Sequence, residues 1–376
     1  RSRIMEVVAA EGILFALAHS GTCAAYSRQT NKLICHLNSH EDEVIRSLFY
    51  NKNNNSLITV SVYASDNFSS LRCRSTPLQA IVAKQLHKGV PLFENESLRW
   101  PGFVEFDDVN GKVLTYNAQD KVYKVFCLRT YKELYQVADA GVQEIKISPG
   151  IMLLIYGPQS SGRVPLQIRD IETGTMLQEF EHHILPRKKI DFIEQFNEKL
   201  LVKQEGTHLR IRDVRTDAMQ EVPLSRFVTP NAFIFLYENQ LFLTFRNRKV
   251  EVWDFSGRLV TSFEDHVLWH NDCNTNNIYI TSEQDVIISY CRMKPEDKGN
   301  IIDSADDFGA PAAGPVGTIN VSSIMSGKCL AKICADSEET RASLSDVTAL
   351  FYDEERNEIY TGNAHGHVHV WSNWSA

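Results

Sequence analysis

Val347-Thr348-Ala349-Leu350-Phe351, Glu358-Ile359-Tyr360-Thr361-Gly362 and Val368-His369-Val370-Trp371 are three short, mainly apolar runs, and Asp353-Glu354-Glu355-Arg356-Asn357 is a charged turn between the first two. Runs of this length separated by turn residues read as consecutive antiparallel strands. One small sheet cannot bury both of its faces by itself, so such a unit has to recur along the chain.

It does recur. Working back from Trp371, the third strand of each unit ends near Trp371, Ser322, Trp253, Arg212, Arg169, Phe126, Cys73 and Tyr26. These markers lie roughly 40–55 residues apart, except across the seventh unit, where an insertion intervenes. Asp170 to Gly174 reads as the turn into an outer strand, with Gly174 supplying a positive φ. The second unit is the least regular, with a third strand expected over Ser70-Leu71-Arg72-Cys73 and a fourth near Ala80-Ile81-Val82.

The run from Tyr360 to Ser372, a Gly turn followed by a strand finishing on Trp371, resembles the end of a WD repeat with Ser372 in place of the Asp. Trp253-Asp254 is an intact Trp-Asp pair, Arg169-Asp170 and Arg212-Asp213 are degenerate ones, and Ser39-His40 resembles the Gly-His element. Over nearly its whole length the chain is similar to the WD-repeat (transducin-like) β-propeller family. The resemblance implies an all-β fold, a β-propeller of seven or eight four-stranded antiparallel blades. The repeat count favours eight, although seven is commoner in the family. Residues 1–376 then form one propeller domain, with 293–317 a flexible insertion in the penultimate blade. The count also leaves one blade without an outer strand. In the family the N-terminal segment usually supplies it, and since the chain begins Arg1-Ser2-Arg3 rather than Met, that strand is expected before Arg1 or is absent.

Composition narrows the class. The chain is 43% hydrophobic and 23% charged, as folded proteins are. No apolar run is long enough to cross a bilayer, and Ile13 to Ala18 is only strand-sized and no signal peptide. A net charge of −8 argues against nucleic acid as a direct partner, while leaving room for a local basic patch. The 8 cysteines show no CxxC pair and read as buried free thiols in a reducing compartment.

Chemistry-bearing motifs are scarce. There is no Gly-x-Ser-x-Gly, no phosphate-cradling loop and no His-Glu-x-x-His, so no enzyme activity and no cofactor are expected. His365, His367 and His369 alternate, but Gly366 marks a turn that breaks the set as a metal site, and His182-His183 reads as loop. Binding is expected instead from the connections between blades and between second and third strands, the face that most often binds partners in the family. Trp100, Trp269 and His270 are candidate anchors there, since exposed Trp is enriched in binding hot spots. Arg187 and Lys188, followed by Lys189, could touch an acidic partner, and Asp306 and Asp307 lie in the insertion. Arg212-Asp213-Val214-Arg215 is similar to the Trp-Asp-x-Arg pattern by which propeller receptors contact the adaptors of cullin-RING ubiquitin ligases, but lacks the leading aromatic.

The expected function is a non-catalytic scaffold or adaptor in the cytoplasm or nucleus, binding one or more proteins within a multi-subunit complex. The alternatives are a ligase substrate receptor, or a propeller enzyme or small-ligand binder using the central channel. The last requires polar groups on the first strands, whereas Val347 to Phe351 and Phe233 to Leu236 are chiefly apolar.

Overall fold

The structure, a computed structural model, describes residues 2–93, 98–99, 102–138, 140–159, 162–185, 187–246, 249–264, 277–291 and 316–373. It is an all-β propeller of eight blades, and among the described residues seven are four-stranded and the last three-stranded, each an antiparallel meander. Blade 1 comprises Ile4–Ala10, Ile13–Ala18, Cys23–Ser27 and Leu33–His36, and blade 2 Glu43–Asn51, Ser56–Tyr63, Arg72–Pro77 and Val90–Leu92. Blade 3 comprises Phe103–Asp107, Lys112–Asn117, Val122–Cys127 and Glu133–Ala138, and blade 4 Val142–Ser148, Ile151–Tyr156, Arg163–Asp170 and Met176–His183. Blade 5 comprises Ile190–Phe196, Lys199–Gln204, Leu209–Asp213 and Met219–Val222, and blade 6 Ala232–Leu236, Leu241–Arg246, Lys249–Asp254 and Leu259–Phe263. Blade 7 comprises Ile278–Ile280, Val286–Cys291, Thr318–Ser323 and Cys329–Ile333, and blade 8 Val347–Asp353, Glu358–Asn363 and Val368–Trp371.

The chain divides into two compact units. One is Arg1–Leu37, Pro230–Asp254 and Arg258–Ala376; the other is Asn38–Thr229 and Phe255–Gly257. Inside each unit the apolar core lies between neighbouring blades. Leu153, Leu166 and Ile168 of blade 4 pack with Ile193, Leu200 and Val202 of blade 5. Ile4, Val7 and Leu14 of blade 1 pack with Ala349 and Tyr360 of blade 8. Burying a Val, Leu, Ile or Phe side chain contributes about 1.5–3 kcal/mol, which is why the strands alternate apolar residues toward the adjoining blade.

One turn recurs between third and fourth strands. The backbone N–H of Asn31, Tyr131, Gly174, Asp217 and Gly327 reaches back four residues to a carbonyl, at 2.7–2.9 Å. All five residues have positive φ, 71° at Gly174. Gly174 is required for a second reason: a Cβ there would lie 2.4 Å from the Tyr135 ring. Asp170 holds its turn by accepting from the N–H groups of Glu172 and Thr173, at 3.0 and 2.7 Å.

The end of each third strand occupies a fixed place in the ladder, opposite the second residue of the second strand. Tyr26 faces Leu14, Phe126 faces Val113, Arg169 faces Met152, Arg212 faces Leu200, Trp253 faces Phe242, Ser322 faces Ile287 and Trp371 faces Ile359. In blade 2 that place belongs to Thr76, opposite Leu57, and not to Cys73. The reason is local. Pro77 leads into a short helix, Leu78–Val82, that buries Leu78 and Ile81 on one side, so the run Ala80-Ile81-Val82 is not the outer strand. Over so few residues a strand and a helical turn have the same apolar signature.

Trp253 and Trp371 share a further bond. Each Nε1 donates to a threonine two residues further along the second strand, Thr244 at 3.1 Å and Thr361 at 2.9 Å. Thr115 stands in that place in blade 3, where Phe126 replaces the Trp, and its buried hydroxyl has no partner. Among the described residues no disulfide forms, and burial pushes the Cys73 thiol up to about 12.

Candidate partner-binding site

Blade 5 separates the sequence-derived candidates by topology. Its strands alternate in direction, so the connection that enters it (184–189) and the turn after its second strand (205–208) lie at one end. The turns at 197–198 and 214–218 lie at the other. Arg187 and Lys188 belong to the first end, Arg215 to the second.

At the first end, a buried glutamine fixes the loop. Gln204 accepts from the Leu185 N–H at 2.7 Å through Oε1 and donates through Nε2 to the carbonyls of Leu185 and Lys188, at 3.0 and 3.2 Å. The Glu205 N–H donates to the Lys189 carbonyl at 2.9 Å, and the Thr207 hydroxyl donates to the Gln204 carbonyl at 2.8 Å. Behind them Lys203, almost wholly buried, donates to Asp191 at 3.1 Å, and Asp191 also accepts from Thr229 at 2.8 Å. A buried cation is tolerable only when paired in this way.

The fixed loop displays charge. Arg187 (φ 66°), Lys188 and Lys189 are exposed, and none forms an ion pair among the described residues. Leu185 beside them is 41% exposed. Glu205 is the exposed acid on the adjoining turn.

The expectation that His182-His183 is loop is corrected: both lie in the outer strand of blade 4, and His182 is buried. Arg212 and Arg210 of blade 5 donate to the carbonyls of Glu181 and His183 on either side of it, at 2.9 and 3.4 Å. Both imidazole nitrogens of His182 lack partners. Burial, reinforced by the charges of Arg212 and Arg210, pulls its pKa down to about 4.

At the opposite end Arg212 and Asp213 are committed inside the protein. The Arg212 guanidinium lies 4.9 Å over the Phe180 ring and its Nε donates to Asp217 at 2.6 Å. Asp213 accepts from Lys199 at 2.6 Å and from the N–H groups of Arg215 and Thr216, and these bonds hold its carboxyl well below the usual range. Arg215 is exposed and pairs with Glu198 at 2.6 Å.

The first strands also depart from expectation. Those of blades 6 and 8 are apolar, but Glu105, Lys146 and Glu194 occupy one equivalent place in blades 3, 4 and 5, each opposite the third residue of its second strand. Lys146 donates to Glu194 at 3.0 Å and pairs with Glu144 at 2.7 Å. Glu105 is open to solvent, yet surrounding protein and then Asp107 raise its pKa. Burial raises that of Glu194 as well.

Trp100, Trp269, His270, Asp306 and Asp307 lie outside the described residues, as does the insertion apart from Val316 and Gly317. Gly366 (φ 79°) turns the chain between His365 and His367, so the three histidines do not share one strand face. Gln204 and Asp191 were not legible as site residues, because an isolated Gln or Asp in a strand has no signal beyond its departure from apolar alternation.

No curated protein matches the chain. Among solved structures it is similar to the computationally designed Ika8 protein, at 18% identity over 99% of this chain and 96% of that one, with a TM-score of 0.54. BamB from Moraxella catarrhalis aligns at 12% identity over 99% of this chain and 95% of that one, with a TM-score of 0.47. The likeness to the designed protein bears on the fold alone. A family profile described as "Domain of unknown function (DUF7899)" matches residues 1–371, and the chain belongs to that family.

Proposed function

We propose that this chain is a non-catalytic, WD-repeat-like interaction scaffold, working in the cytoplasm or nucleus as a subunit of a larger complex and binding an acidic partner protein at the 185–189 loop. The observation that carries this reading is the pairing of a buried clamp with an unpaired display. Gln204 holds the loop through three hydrogen bonds, and none of Arg187, Lys188 and Lys189 on it forms an ion pair among the described residues. A preorganised cationic loop loses little entropy on binding, and its charge steers an anionic partner. The WD-like ancestry draws support from the shared Trp–Thr bond in blades 6 and 8.

The test is affinity purification with mass spectrometry, comparing the wild-type chain with an Arg187→Glu, Lys188→Glu, Lys189→Glu variant. The reading expects salt-sensitive partners with the first and their loss with the second. Identical recovery would count against it. The ligase-receptor alternative has less behind it, because Asp213 is occupied by its own turn and Lys199. Unchanged adaptor recovery with Arg215→Ala would remove it.

A second reading is favoured by Glu105, whose carboxyl is both reachable and of raised pKa, a combination frequent where ligands bind. It expects a small cationic ligand to raise the melting temperature of the wild type but not of Glu105→Gln. A metabolite screen with no such difference speaks against it.

A further inference from the structure

Three segments meet at the end of blade 5 that carries the basic loop. Strand direction places there the entering connection 184–189, the turn 205–208 and the exit 223–229, which follows the outer strand Met219–Val222. All three belong to one compact unit, Asn38–Thr229. Hydrogen bonds gather them around the turn. Gln204, just before it, holds Leu185 and Lys188, while His208, its last residue, accepts the Leu224 N–H on Nδ1 at 2.9 Å. Gly206 lies beside the Lys188 ammonium, since a Cβ added there would stand 3.9 Å from Nζ.

The exit is held as firmly as the entry. The N–H groups of Arg226 and Phe227 donate to the Pro223 carbonyl at 2.8 and 3.0 Å. Phe227 is fully buried with its ring edge-on to Phe192, and Thr229 donates to Asp191. This order leaves particular side chains outside. Leu224 is 40% exposed and Val228 41%, matching the 41% of Leu185. Arg226, between them in sequence, is exposed and forms no ion pair among the described residues. Glu205 is the one acid on the three segments.

A chain of net charge −8 thus gathers Arg187, Lys188, Lys189 and Arg226 at one end of one blade, against Glu205 alone, and adds three aliphatic side chains. Charge by itself attracts any polyanion; the aliphatics narrow the choice. A nucleic acid finds no exposed Phe, Tyr or Trp on these segments for its bases to stack on, because Phe227 is buried. A bilayer gains little, because each aliphatic is already more than half covered and the apolar area left to insert is small. A protein segment with both acidic and aliphatic side chains suits both features: its carboxylates meet the cations, and its aliphatics complete the burial of Leu185, Leu224 and Val228.

We infer that this end of blade 5 binds a partner segment in which acidic residues are interleaved with leucine, isoleucine, valine or methionine. The inference rests on the reading of the basic loop as a protein-binding element, and adds the partner's second chemical requirement. None of the three segments adjoins an end of the sequence, so their exposure is not set by where it starts or stops.

The probe is a random-peptide display library selected against the whole chain, with the selected peptide then synthesised, labelled with fluorescein and titrated by anisotropy. The wild type should enrich peptides that combine Asp or Glu with aliphatic residues. Leu224→Ser with Val228→Ser should weaken the synthesised peptide at least about ten-fold. Leu134→Ser, at an aliphatic 42% exposed on the outer strand of blade 3, should leave it unchanged. Enrichment of acids without aliphatics, or a peptide indifferent to the double change, overturns this inference and leaves the reading of the basic loop standing. Selection of no acidic peptide, or of one indifferent to Arg187→Glu, Lys188→Glu, Lys189→Glu, overturns both. Flotation with phosphatidylserine vesicles that the same triple change abolishes overturns the inference in favour of a lipid surface. Should a variant fail to fold, amide exchange on the wild type decides: the peptide should slow 185, 187–189, 205–208 and 224–229. No slowing there overturns the inference, and so does protection present before peptide is added, because the chain or a second copy then covers the surface.

Discussion

Arg28 of blade 1 donates through Nε to the hydroxyl of Tyr360 in blade 8 at 2.8 Å, across a sequence separation of 332 residues. The same guanidinium pairs with Asp353 at 2.7 Å and Glu358 at 3.4 Å, and its side chain is 2% exposed. Tyr360 in turn donates to Glu358. One buried cation thus joins three groups of the last blade to the first. Removing one member of a buried pair costs about 3–5 kcal/mol, because the remaining charge loses its partner without regaining full hydration. Arg28→Met should therefore lose about 3 kcal/mol in urea denaturation, and Arg28→Met with Asp353→Asn should recover part of it. A single variant within about 0.5 kcal/mol of wild type would show that water replaces the pair.

Thr115 and Thr244 occupy the same place in different blades and should answer oppositely to the same change. Thr244→Val removes the hydroxyl that accepts from the buried Trp253 Nε1 and should cost about 1–3 kcal/mol. Thr115→Val removes a buried hydroxyl that has no partner, and should be neutral or stabilising by up to about 1 kcal/mol. Paired denaturation curves check both, and a loss at Thr115 equal to that at Thr244 would refute the argument.

His182 predicts an acid-sensitive term. Its pKa falls from 6.5 to about 4 on folding, so the unfolded chain binds the proton more readily. The stability that comes from keeping this imidazole neutral is whole above pH 6.5 and is lost as pH falls toward 4. Its full size is about 3 kcal/mol. His182→Phe should flatten the dependence of stability on pH between 6.5 and 4, read as urea midpoints at pH 7 and 4.5. Parallel slopes for both proteins would assign the acid sensitivity to other groups.

Gln204 predicts a local effect that leaves every charge in place. Gln204→Leu removes the bonds to Leu185 and Lys188, so the amides of 185 and 187–189 should exchange at least about ten-fold faster while the strands of blade 5 keep their protection. If binding at this loop depends on preorganisation, affinity for the acidic partner falls with the charges intact. Unchanged exchange in this segment would mean that the Glu205–Lys189 backbone bond suffices.

Much of the architecture was legible because repetition averages out local ambiguity. The markers at Tyr26, Phe126, Arg169, Arg212, Trp253, Ser322 and Trp371 all hold one ladder position, and Asp170 with Gly174 makes the expected turn. Blade 2 was misread where the repeat is broken by the helix after Pro77, since a run as short as Ala80-Ile81-Val82 does not reveal its own period. The basic loop was visible as a run of charge, but not its fixity, because Gln204 lies in the following strand and looks like any other polar residue.

Local spacing alone thus favoured eight units over seven and marked most of their strands and turns, because each depends on neighbours a few residues away. Only the tertiary structure decided which blade Arg28 grips. That outcome joins residues 332 positions apart, and no period in the chain encodes such a distance.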